Sequence, residues 1–454
     1  MKKLGLGLFT LSTMTAALAA DIDITIAGSG TVNAKEAEIT CQENCSIANE
    51  LAVNTLIPTS TSNSEFEGWS GQRCDAGNGM LFNTEFNTFS GVTNGAKTLA
   101  KADIDSDGHH DLAYISLFDG QIGTLTNNGN GSFDKTILDT NLNYPAALAF
   151  YDWNNNGHQD LLVTEYGANV IKLYSNSGSG QFTFTKDIVV SGTRAYGLAV
   201  ADINQDNSPD LAISSFTANT GGNLADLVSS IRNEKTGWFV NNGQDEFSAS
   251  VEVSSLAAIT LDAYVDEATN SVELATAEIT TGDVSLYALS RESMEVTKTA
   301  VASGSNAYGV ALSDIDDNGT IDVLSSHYRP SVLKLATRTE SGFGEAEVFS
   351  GFGDGVTATA MLDMNNDGYQ DIATGIFNTN VFTFATSKGY NECIITGDAK
   401  TSVTANFTSS QTSGGNTSGQ SASSSSSGGG SGGGSMPFAL LAALSLVMLV
   451  RKLK

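Results

Sequence analysis

DIDSDGHHD, from Asp103 to Asp111, is the first of five nine-residue segments that share one pattern of acidic and amide side chains. The other four are DWNNNGHQD from Asp152, DINQDNSPD from Asp202, DIDDNGTID from Asp314 and DMNNDGYQD from Asp363. Their regular spacing decides the fold, because self-similarity at a fixed period of about 50 residues is typical of a repeat architecture.

The oxygen-bearing side chains within each segment predict a cation site. Alternate side chains of a tightly turning loop point to one side, so oxygens at the first, third, fifth and ninth positions converge on a hard cation such as Ca²⁺. The sixth position requires positive φ, which glycine adopts freely and asparagine tolerates. It is occupied by Gly108, Gly157, Asn207, Gly319 and Gly368. The predicted Ca²⁺ ligands are Asp103, Asp105, Asp107, Asp111, Asp152, Asn154, Asn156, Asp160, Asp202, Asn204, Asp206, Asp210, Asp314, Asp316, Asn318, Asp322, Asp363, Asn365, Asp367 and Asp371.

The repeats predict an all-β protein with a six-bladed β-propeller over residues 80–389. The gap between Asp202 and Asp314 has room for one more unit, whose degenerate start lies near Asp262. Each unit reads as four short strands separated by Gly/Asn-rich turns, which is typical of propeller blades. Small residues three positions before each first aspartate fit an innermost strand crowded near an axis; they are Ala100, Ala149, Ala199, Ala311 and Ala360.

Closure of the ring is predicted from one strand that is missing and one that is left over. The sixth unit ends after its third strand, VFTFATSKG from Val381, while MLFNTEFNTFSG from Met80 stands alone before the first unit. Pairing residues 82–90 with residues 381–386 would complete the sixth blade and remove two exposed sheet edges at once. An N-terminal outer strand is therefore expected to close the ring.

Charge and the start of the chain indicate an exported protein. The chain carries 50 acidic and 22 basic residues, and its net charge of −28 disfavours nucleic acid as a partner. Residues 1–20, with two lysines, an apolar run and a small-residue end, predict a secretory signal peptide; an uncleaved anchor is the alternative. Export supplies millimolar Ca²⁺ and favours disulfides. Three pairings are possible among Cys41, Cys45, Cys74 and Cys393.

The C-terminal end has the composition of a linker and a sorting tail. Residues 408–435 are almost wholly Ser, Gly, Thr, Gln and Asn, which predicts a flexible tether, and residues 436–454 join an apolar run to a basic end. The arrangement resembles the GlyGly-CTERM tails of proteobacterial exported proteins. That resemblance implies cleavage by an intramembrane sorting protease, release to the cell surface, outer membrane or medium, and membrane contact only through the tail; an ordinary membrane anchor is the alternative. The matching residues are Gly432, Gly433, Gly434 and Ser435.

The segments on either side of the repeats resemble parts of one small β module. GSGTV, a Cys-x-x-x-Cys motif and FEGWSGQRC, all within residues 21–79, resemble the first part of an internalin-type B-repeat. The usual end of that repeat, a cysteine strand and a V-T-A-x-F strand, stands within residues 390–407. The resemblance implies that the propeller is inserted into a loop of the module. The disulfides that it implies are Cys41 with Cys45 and Cys74 with Cys393.

The repeats themselves resemble FG-GAP/VCBS repeats, the units of integrin α-subunit propellers and of many bacterial surface proteins. The resemblance implies that the five aspartate loops hold Ca²⁺ and join the first and second strands of their blades on one face. The fourth unit departs from the pattern between Asp262 and Glu273. Its loop is expected to be longer, and no sixth Ca²⁺ is expected there.

Connections after each second strand are expected on the opposite face, where an aromatic residue recurs. Aromatic rings with hydrogen-bonding neighbours can stack on sugars or anchor a protein partner. The alternative is that the repeated ring fills the gap between adjacent blades. The candidate ligand-binding residues are Tyr166, Tyr196, Tyr308, His327, Tyr328 and Arg329.

Outside the Ser/Gly-rich linker the sequence contains no G-x-S-x-G, and it contains no His-rich metal motif. The favoured function is therefore an exported, surface-displayed, Ca²⁺-stabilised binding or adhesion module for a glycan or a protein. The alternative is a secreted polysaccharide lyase or hydrolase built on a propeller, with His327, Tyr328 and Arg329 as its polar cluster. Fold alone does not separate the two functions.

Overall fold

A computed structural model describes residues 21–48, 53–62, 64–71, 80–82, 87–90, 94–217, 232–278, 281–303, 307–316, 318–339, 342–390, 393–396 and 401–408. Over these residues every regular element is a β-strand, so the all-β prediction is confirmed. In the same residues no helix is long and apolar enough to span a bilayer. The expected signal peptide, nearly all of the linker and the sorting tail lie outside the described residues.

Strands follow one another along the described chain. Before the repeats they are β1 (Asp21–Ala27), β2 (Gly30–Ala34), β3 (Ile39–Cys41), β4 (Cys45–Ala48), β5 (Val53–Ser60), β6 (Phe66–Gly71), β7 (Met80–Phe82) and β8 (Asn87–Phe89). The first three repeats contain β9 (Ala96–Ala102), β10 (Asp111–Ser116), β11 (Gln121–Asn127), β12 (Phe133–Asp139), β13 (Pro145–Tyr151), β14 (Asp160–Glu165), β15 (Val170–Asn176), β16 (Phe182–Ile188), β17 (Ala195–Ala201), β18 (Asp210–Thr217), β19 (Arg232–Asn241) and β20 (Phe247–Ser254).

The last three repeats and the C-terminal flank supply the remaining strands. In the repeats these are β21 (Ala258–Asp266), β22 (Ser271–Glu278), β23 (Val284–Ser290), β24 (Val296–Ala302), β25 (Ala307–Ser313), β26 (Asp322–His327), β27 (Val332–Ala336), β28 (Arg338–Thr339), β29 (Gly342–Phe343), β30 (Glu347–Ser350), β31 (Val356–Leu362), β32 (Asp371–Ile376) and β33 (Val381–Ala385). After them come β34 (Ser387–Tyr390), β35 (Cys393–Thr396) and β36 (Thr401–Phe407).

The chain divides into two compact units, and the smaller one is discontinuous. Its described residues run up to Leu81 and resume at Tyr390, and they form two four-stranded sheets, β4-β1-β36-β6 and β3-β2-β5-β35. Each sheet takes one strand from the far side of the repeats, since β36 pairs in parallel with β1 and β35 pairs antiparallel with β5. The expected discontinuous β module is therefore present.

The cysteines of the smaller unit are consistent with the expected pairs where the structure describes them. Cys41 and Cys45 form a disulfide. Cys393 is buried and disulfide-bonded. Cys74, its expected partner, lies outside the described residues, so this pairing stays a prediction.

The larger unit, Phe82–Gly389, contains six four-stranded sheets in chain order. From inner to outer strand they are β9-β10-β11-β12, β13-β14-β15-β16, β17-β18-β19-β20, β21-β22-β23-β24, β25-β26-β27-β30 and β31-β32-β33-β8. The inner strand of each sheet contacts the inner strand of the next, and β31 contacts β9, so the sheets close a ring. The unit is a β-propeller, as the repeats predicted.

The outer strand of the sixth sheet comes from the N-terminal side of the repeats. β8 pairs antiparallel with β33, with Phe89 opposite Phe382. The Phe382 ring also packs on Tyr114 of the first sheet, at 5.7 Å between ring centroids. The predicted closure by an N-terminal strand is confirmed over β8, while residues 83–86 lie outside the described residues.

Burial follows strand position within each sheet. The second strands β10, β14, β26 and β32 are buried at every residue, because neighbouring sheets cover both of their faces. This is why segments such as DLAYIS and DLLVTE show no apolar-polar alternation. The outer strand β12 is mostly exposed beyond Phe133. Each large apolar side chain buried in this way contributes about 1.5–3 kcal/mol to folding.

A ring of side-chain hydrogen bonds links each sheet to the inner strand of the next. Near its start each inner strand slips in register against the second strand, and such a bulge leaves backbone groups outside the ladder. A Ser or Thr hydroxyl of the preceding sheet donates to a carbonyl there. The donor–acceptor pairs are Thr98 to Ala146, Thr164 to Tyr196, Ser214 to Ala258, Thr260 to Tyr308, Ser326 to Thr357 and Thr357 to Ala96.

The fourth sheet differs from the others where a loop was expected. β21 continues to Asp266 and β22 starts at Ser271, so a tight turn joins the two strands. The expectation of a longer loop between Asp262 and Glu273 is wrong. Most of that stretch is strand, because Asp262 pairs with Ala275 and the pairing continues to the turn.

Candidate metal centres and the opposite face

Each of the five aspartate loops connects the inner strand of its sheet to the second strand, as the resemblance implied. Its first aspartate accepts backbone N–H groups from the fifth and sixth positions of the same loop. In the first loop Asp103 accepts from Asp107 at 3.2 Å and from Gly108 at 3.1 Å. The loop backbone therefore holds this carboxylate in place. The same two bonds recur at Asp152, Asp202, Asp314 and Asp363.

Two positions of the loops adopt left-handed backbone conformations. The sixth position has φ between 63° at Asn207 and 92° at Gly108, as predicted. The fourth position is also left-handed in the four loops where the structure describes it, with φ between 56° and 63°, which the sequence reasoning missed. Its occupants are polar and unbranched at Cβ, a signal that was available: Ser106, Asn155, Gln205 and Asn366.

The ninth aspartate of each loop is fully buried and is held by two backbone donors. Asp111 accepts an N–H from Ile104 at 2.9 Å and another from Asn127, at the end of the third strand, at 2.7 Å. Burial raises the pKa of these carboxyls, to about 7 at Asp322 and Asp371, so a nearby cation would stabilise their ionised forms. Equivalent bonds hold Asp160, Asp210, Asp322 and Asp371.

Two loops gather three carboxylates each. Oxygens of Asp103, Asp105 and Asp111 lie within 4.8 Å of one another. In this loop Asp105 Oδ1 is buried and has no hydrogen-bond partner among the described residues, and the same is true of Asp316 Oδ1 in the other loop. Buried, unpaired carboxylate oxygens beside further carboxylates fit a divalent cation that prefers oxygen ligands. The second set is Asp314, Asp316 and Asp322.

The other three loops have asparagine at the third position. The side-chain N–H of Asn204 donates to Asp206 at 3.0 Å, and Asn365 makes the equivalent contact in the sixth sheet. In the second loop Asn154 donates to Asp160 at 3.0 Å. These amides also carry an oxygen, so the ligand set stays all-oxygen with less negative charge. The second loop has the least charge, with carboxylates at its first and ninth positions only.

An ion pair between the fourth sheet and Arg338, which follows the third strand of the fifth sheet, stands where the other sheets have a buried loop aspartate. Glu273, at the start of its second strand, stands in register where the ninth aspartate stands elsewhere. Arg338 Nη1 lies 2.5 Å from Glu273 Oε1, and the Glu273 side chain is 4 % exposed. The backbone N–H of Arg338 also donates to Asp322, at 2.7 Å. A guanidinium thus neutralises this buried carboxylate, and the expectation of no sixth Ca²⁺ stays a prediction.

The aromatic candidates of the opposite face are buried. Tyr166 packs on Phe216 with 5.4 Å between ring centroids, and the Tyr328 hydroxyl donates to Asn378 at 2.9 Å. The expectation of an open stacking surface therefore has to be corrected, and the packing alternative describes these rings. Of the six candidates only Arg329 is exposed. The exposed fractions of the others are 1 % for Tyr166, 3 % for Tyr196 and Tyr308, 0 % for His327 and 6 % for Tyr328.

Buried side chains also fill the axis at the strand ends away from the loops. Lys97 of the first sheet lies over the ring of Tyr196 of the third, with Nζ 4.5 Å from the ring centroid. Because these two sheets are not neighbours, the contact crosses the axis. Lys97 is fully buried and donates to the carbonyl of Ala146, and burial lowers the pKa of its ammonium to about 7. The axis at this end is closed.

A groove of about 550 Å³ lies beside the third sheet, on the face opposite the loops. Arg194 lines it and is held by Tyr166, since its guanidinium carbon lies 4.3 Å from the ring centroid and its Nε donates to the Tyr166 carbonyl at 3.2 Å. The groove combines an aromatic wall with charges of both signs. Its other main lining residues are Phe216, Glu234, Lys235 and Glu252.

Residues 103–163 and 152–213 match the family model described as FG-GAP-like repeat. These ranges hold the first three loops. The propeller is therefore one built from FG-GAP-like repeats, as the sequence pattern indicated. None of the curated proteins matches the chain.

Several solved structures resemble the chain at low identity. BBS1N, in complex with ARL6DN, has a TM-score of 0.41 at 9 % identity and covers 68 % of this chain and 97 % of its own. An arginine-to-alanine mutant of AofleA from Arthrobotrys oligospora has a TM-score of 0.47 at 10 % identity, with coverages of 71 % and 93 %. The Dos1 propeller has a TM-score of 0.37 at 11 % identity, with coverages of 64 % and 78 %. At such scores these likenesses carry no argument about function.

Proposed function

We propose that the protein is an exported, surface-displayed, Ca²⁺-stabilised binding or adhesion module that recognises a glycan or a protein. A propeller of FG-GAP-like repeats supports a binding function in general terms. The ligand is proposed to bind on the face opposite the metal loops. The observation that carries this proposal is the groove at Arg194.

The chemistry of the groove suits a polar ligand that also offers an apolar face. The Arg194 guanidinium is oriented by the ring and the carbonyl of Tyr166, and its terminal N–H groups have no partner among the described residues. A planar guanidinium donates two parallel hydrogen bonds, which match a carboxylate or adjacent hydroxyls. An oriented side chain also loses less entropy on binding. Phe216 supplies the apolar wall.

The test removes the two cationic side chains of the groove. We expect Arg194→Gln with Lys235→Gln to weaken binding to a glycan array or to intact cells by at least about tenfold, because hot-spot residues of an interface carry 2 kcal/mol or more. The matched control is Lys135→Gln with Lys334→Gln, which should bind as the parent does. Loss of melting temperature with unchanged binding would mean that the groove residues are structural and the ligand site lies elsewhere.

The loops are proposed to hold Ca²⁺, and their chemistry supports that choice of metal. All ligands are carboxylate, amide or backbone oxygens, which Ca²⁺ prefers, and no described loop adds a cysteine. Modest sites of this kind fill at the millimolar Ca²⁺ found outside cells. Ca²⁺ binding and export therefore support one another within the proposal.

Export and surface display rest on the ends of the chain. We propose that residues 1–20 are removed on export and that residues 408–435 form a tether. A sorting protease is proposed to cut near Gly432, Gly433 and Gly434 and so to remove residues 436–454, through which the protein contacts a membrane. The flanking module is proposed to be B-repeat-like. Intact-mass analysis of the mature protein from producing cells should show both ends removed. A mass that retains the tail would support the plain membrane anchor.

A further inference from the structure

A cavity of about 460 Å³ opens at the metal-loop end of the propeller axis. It is lined by the last residues of the inner strands and by Asp314, the first residue of a loop. Its floor is a ring of equivalent positions, one from each inner strand. In the five sheets with an aspartate loop this position lies four residues before the first aspartate, and in the fourth sheet the strand register identifies it. The floor residues are Leu99, Leu148, Leu198, Leu261, Val310 and Thr359.

Two charged residues stand in the wall above this floor, and each breaks the repeat pattern. Lys101 occupies a position that is apolar in the other five sheets. Asp262 stands in register where the others carry the small alanine near the axis. Lys101 comes from the first sheet and Asp262 from the fourth, which lie across the ring from each other. Their charged ends meet at the fifth sheet, where Lys101 reaches Ser313 and Asp262 reaches Leu312, so apart from the loop residue Asp314 the cavity presents one cation and one anion close to adjacent residues of β25.

Both charged groups keep hydrogen-bonding capacity for a ligand. Lys101 Nζ has three N–H groups and donates to one described residue, Ser313, at 3.3 Å from Oγ. Asp262 Oδ2 accepts from the backbone of Leu312 at 2.7 Å. The two charges interact at a distance but form no ion pair within hydrogen-bonding range among the described residues.

The floor adds an unpaired polar atom. Thr359 is 4 % exposed, and its Oγ1 is buried without a hydrogen-bond partner among the described residues. A buried hydroxyl without a hydrogen-bond partner destabilises the folded protein. A ligand atom in the cavity would recover that loss, and Thr359 lines the cavity directly.

We propose that this axial cavity binds a small zwitterion with an apolar side chain, of the kind represented by free aliphatic amino acids. The carboxylate would bind Lys101, the ammonium would bind Asp262, and the side chain would point to the aliphatic floor. A simple anion would face Asp262 unfavourably and a simple cation would face Lys101 unfavourably. Lys101 and Asp262 lie two residues and one residue above the floor, about 3–7 Å, which matches a short branched side chain. The proposal is independent of the groove at Arg194.

The first test compares L-leucine with analogues that each lack one charge. Calorimetric titration of the full-length, Ca²⁺-loaded protein should show binding of L-leucine. Isocaproate, which lacks the ammonium, and isoamylamine, which lacks the carboxylate, should bind at least about tenfold more weakly, because a hydrogen bond to a charged group contributes 1.5–3 kcal/mol. Absence of leucine binding, or equal binding of either analogue, overturns the proposal.

The second test uses matched substitutions. Lys101→Met and Asp262→Asn should each weaken leucine binding at least about tenfold. The same changes away from the axis, Lys334→Met and Asp134→Asn, should leave it unchanged. Thr359→Val keeps the shape of the floor and should weaken binding severalfold, and it decides the matter if the charge variants fail to fold. Unchanged affinity in all three cavity variants overturns the proposal.

Discussion

Single residues explain why side chains fill the propeller axis at the end away from the aspartate loops. Lys97 is the one lysine of the inner strands at a position that is alanine, tyrosine, isoleucine or threonine in the other sheets. Its ammonium is buried against Tyr196 and donates to the Ala146 carbonyl, which Thr98 Oγ1 also reaches at 3.1 Å. Removing the amine therefore leaves that carbonyl with a donor. The charge of Lys97 is a cost to folding with little to offset it.

Lys97→Met should stabilise the protein, and the gain should depend on pH. Burial lowers the pKa of Lys97 to about 7 in the folded protein, whereas a lysine in an unfolded chain has a pKa of about 10.4. Between these values the unfolded chain binds a proton that the folded one has lost, so the stability of the parent rises with pH. The advantage of the variant should be greatest below pH 7, where the parent keeps its buried charge, and should shrink by several kcal/mol toward pH 10. Urea unfolding at several pH values measures it, and a difference that does not change with pH would contradict the burial argument.

Among the elements, the five aspartate loops fix carboxylates in place through their own backbone. Each holds its first and last aspartates with backbone N–H groups, and the fourth sheet shows what replaces the loop when the pattern is lost. There Arg338 supplies the positive charge that a cation would supply elsewhere. A buried carboxylate at this position is therefore paired with an arginine in the fourth sheet, and in the other sheets a bound cation would play the same part.

Chelation should destabilise the propeller. A site at one hundred times its dissociation constant contributes about 2.7 kcal/mol, which for a unit of this size corresponds to about 5–10 °C in melting temperature. Titration should find five Ca²⁺, the weakest in the loop of Asp152, where two ligands are carboxylates. Asp314→Asn should therefore lower the melting temperature more than Asp152→Asn, with Asp134→Asn as the control. A stoichiometry near zero, or one melting curve with and without chelator, would exclude the Ca²⁺ assignment.

The ion pair of the fourth sheet should couple its two residues. Arg338→Met leaves the buried Glu273 without its partner and should cost about 2 kcal/mol, less than for a fully buried pair because the arginine is one-third exposed. Adding Glu273→Gln should recover at least half of that loss. Unfolding of the two single variants and the double variant gives the coupling energy. Strict additivity would show that the pair does not act as a unit.

The sequence predicts what is local and periodic. Loop positions such as Gly108 and Asp111 and the strand order within each sheet follow from patterns within a few residues, and the closing strand follows from the strand count of the repeats. The hydroxyl ring does not, because Thr98 reaches Ala146 only after the bulged register of two separate sheets is set. The turn of the fourth sheet was missed for a similar reason, since its pairing depends on cross-strand neighbours. The aromatic candidates were misassigned because an aromatic residue that recurs in every repeat shows that the repeats share a structural position. It does not show whether the side chain at that position is exposed.

For the whole molecule, the ring depends on one short strand. β8 is the outer strand of the sixth sheet although it precedes the first, and Phe89 lies in register with Phe382. The sheet contacts between β31 and β9 close the inside of the ring, and β8 ties the outside to the same junction. The two links together hold the first and last sheets side by side.

Replacing Thr88 and Phe89 by proline should open this junction. Adjacent backbone N–H groups of a strand point to opposite sides, so the pair of prolines removes at least one ladder bond and should cost roughly 3 kcal/mol. Thr88→Val with Phe89→Leu keeps the backbone and is the control. Hydrogen exchange along β33 should speed up in the proline variant alone. Equal protection of β33 in both variants would contradict a closing role for β8.

The position of β8 also sets an order in time. A ribosome makes this strand first and its partner β33 last, about 290 residues later, which at about 5–20 residues per second is roughly 15–60 s. During that interval the first blade and the most recently completed blade each have one uncovered face, and β8 has no partner strand. Nascent chains stopped before Val381 should therefore be digested by proteases that do not cleave the complete chain. Premature termination would then lead to degradation of the fragment, because the remaining blades do not close into a smaller propeller.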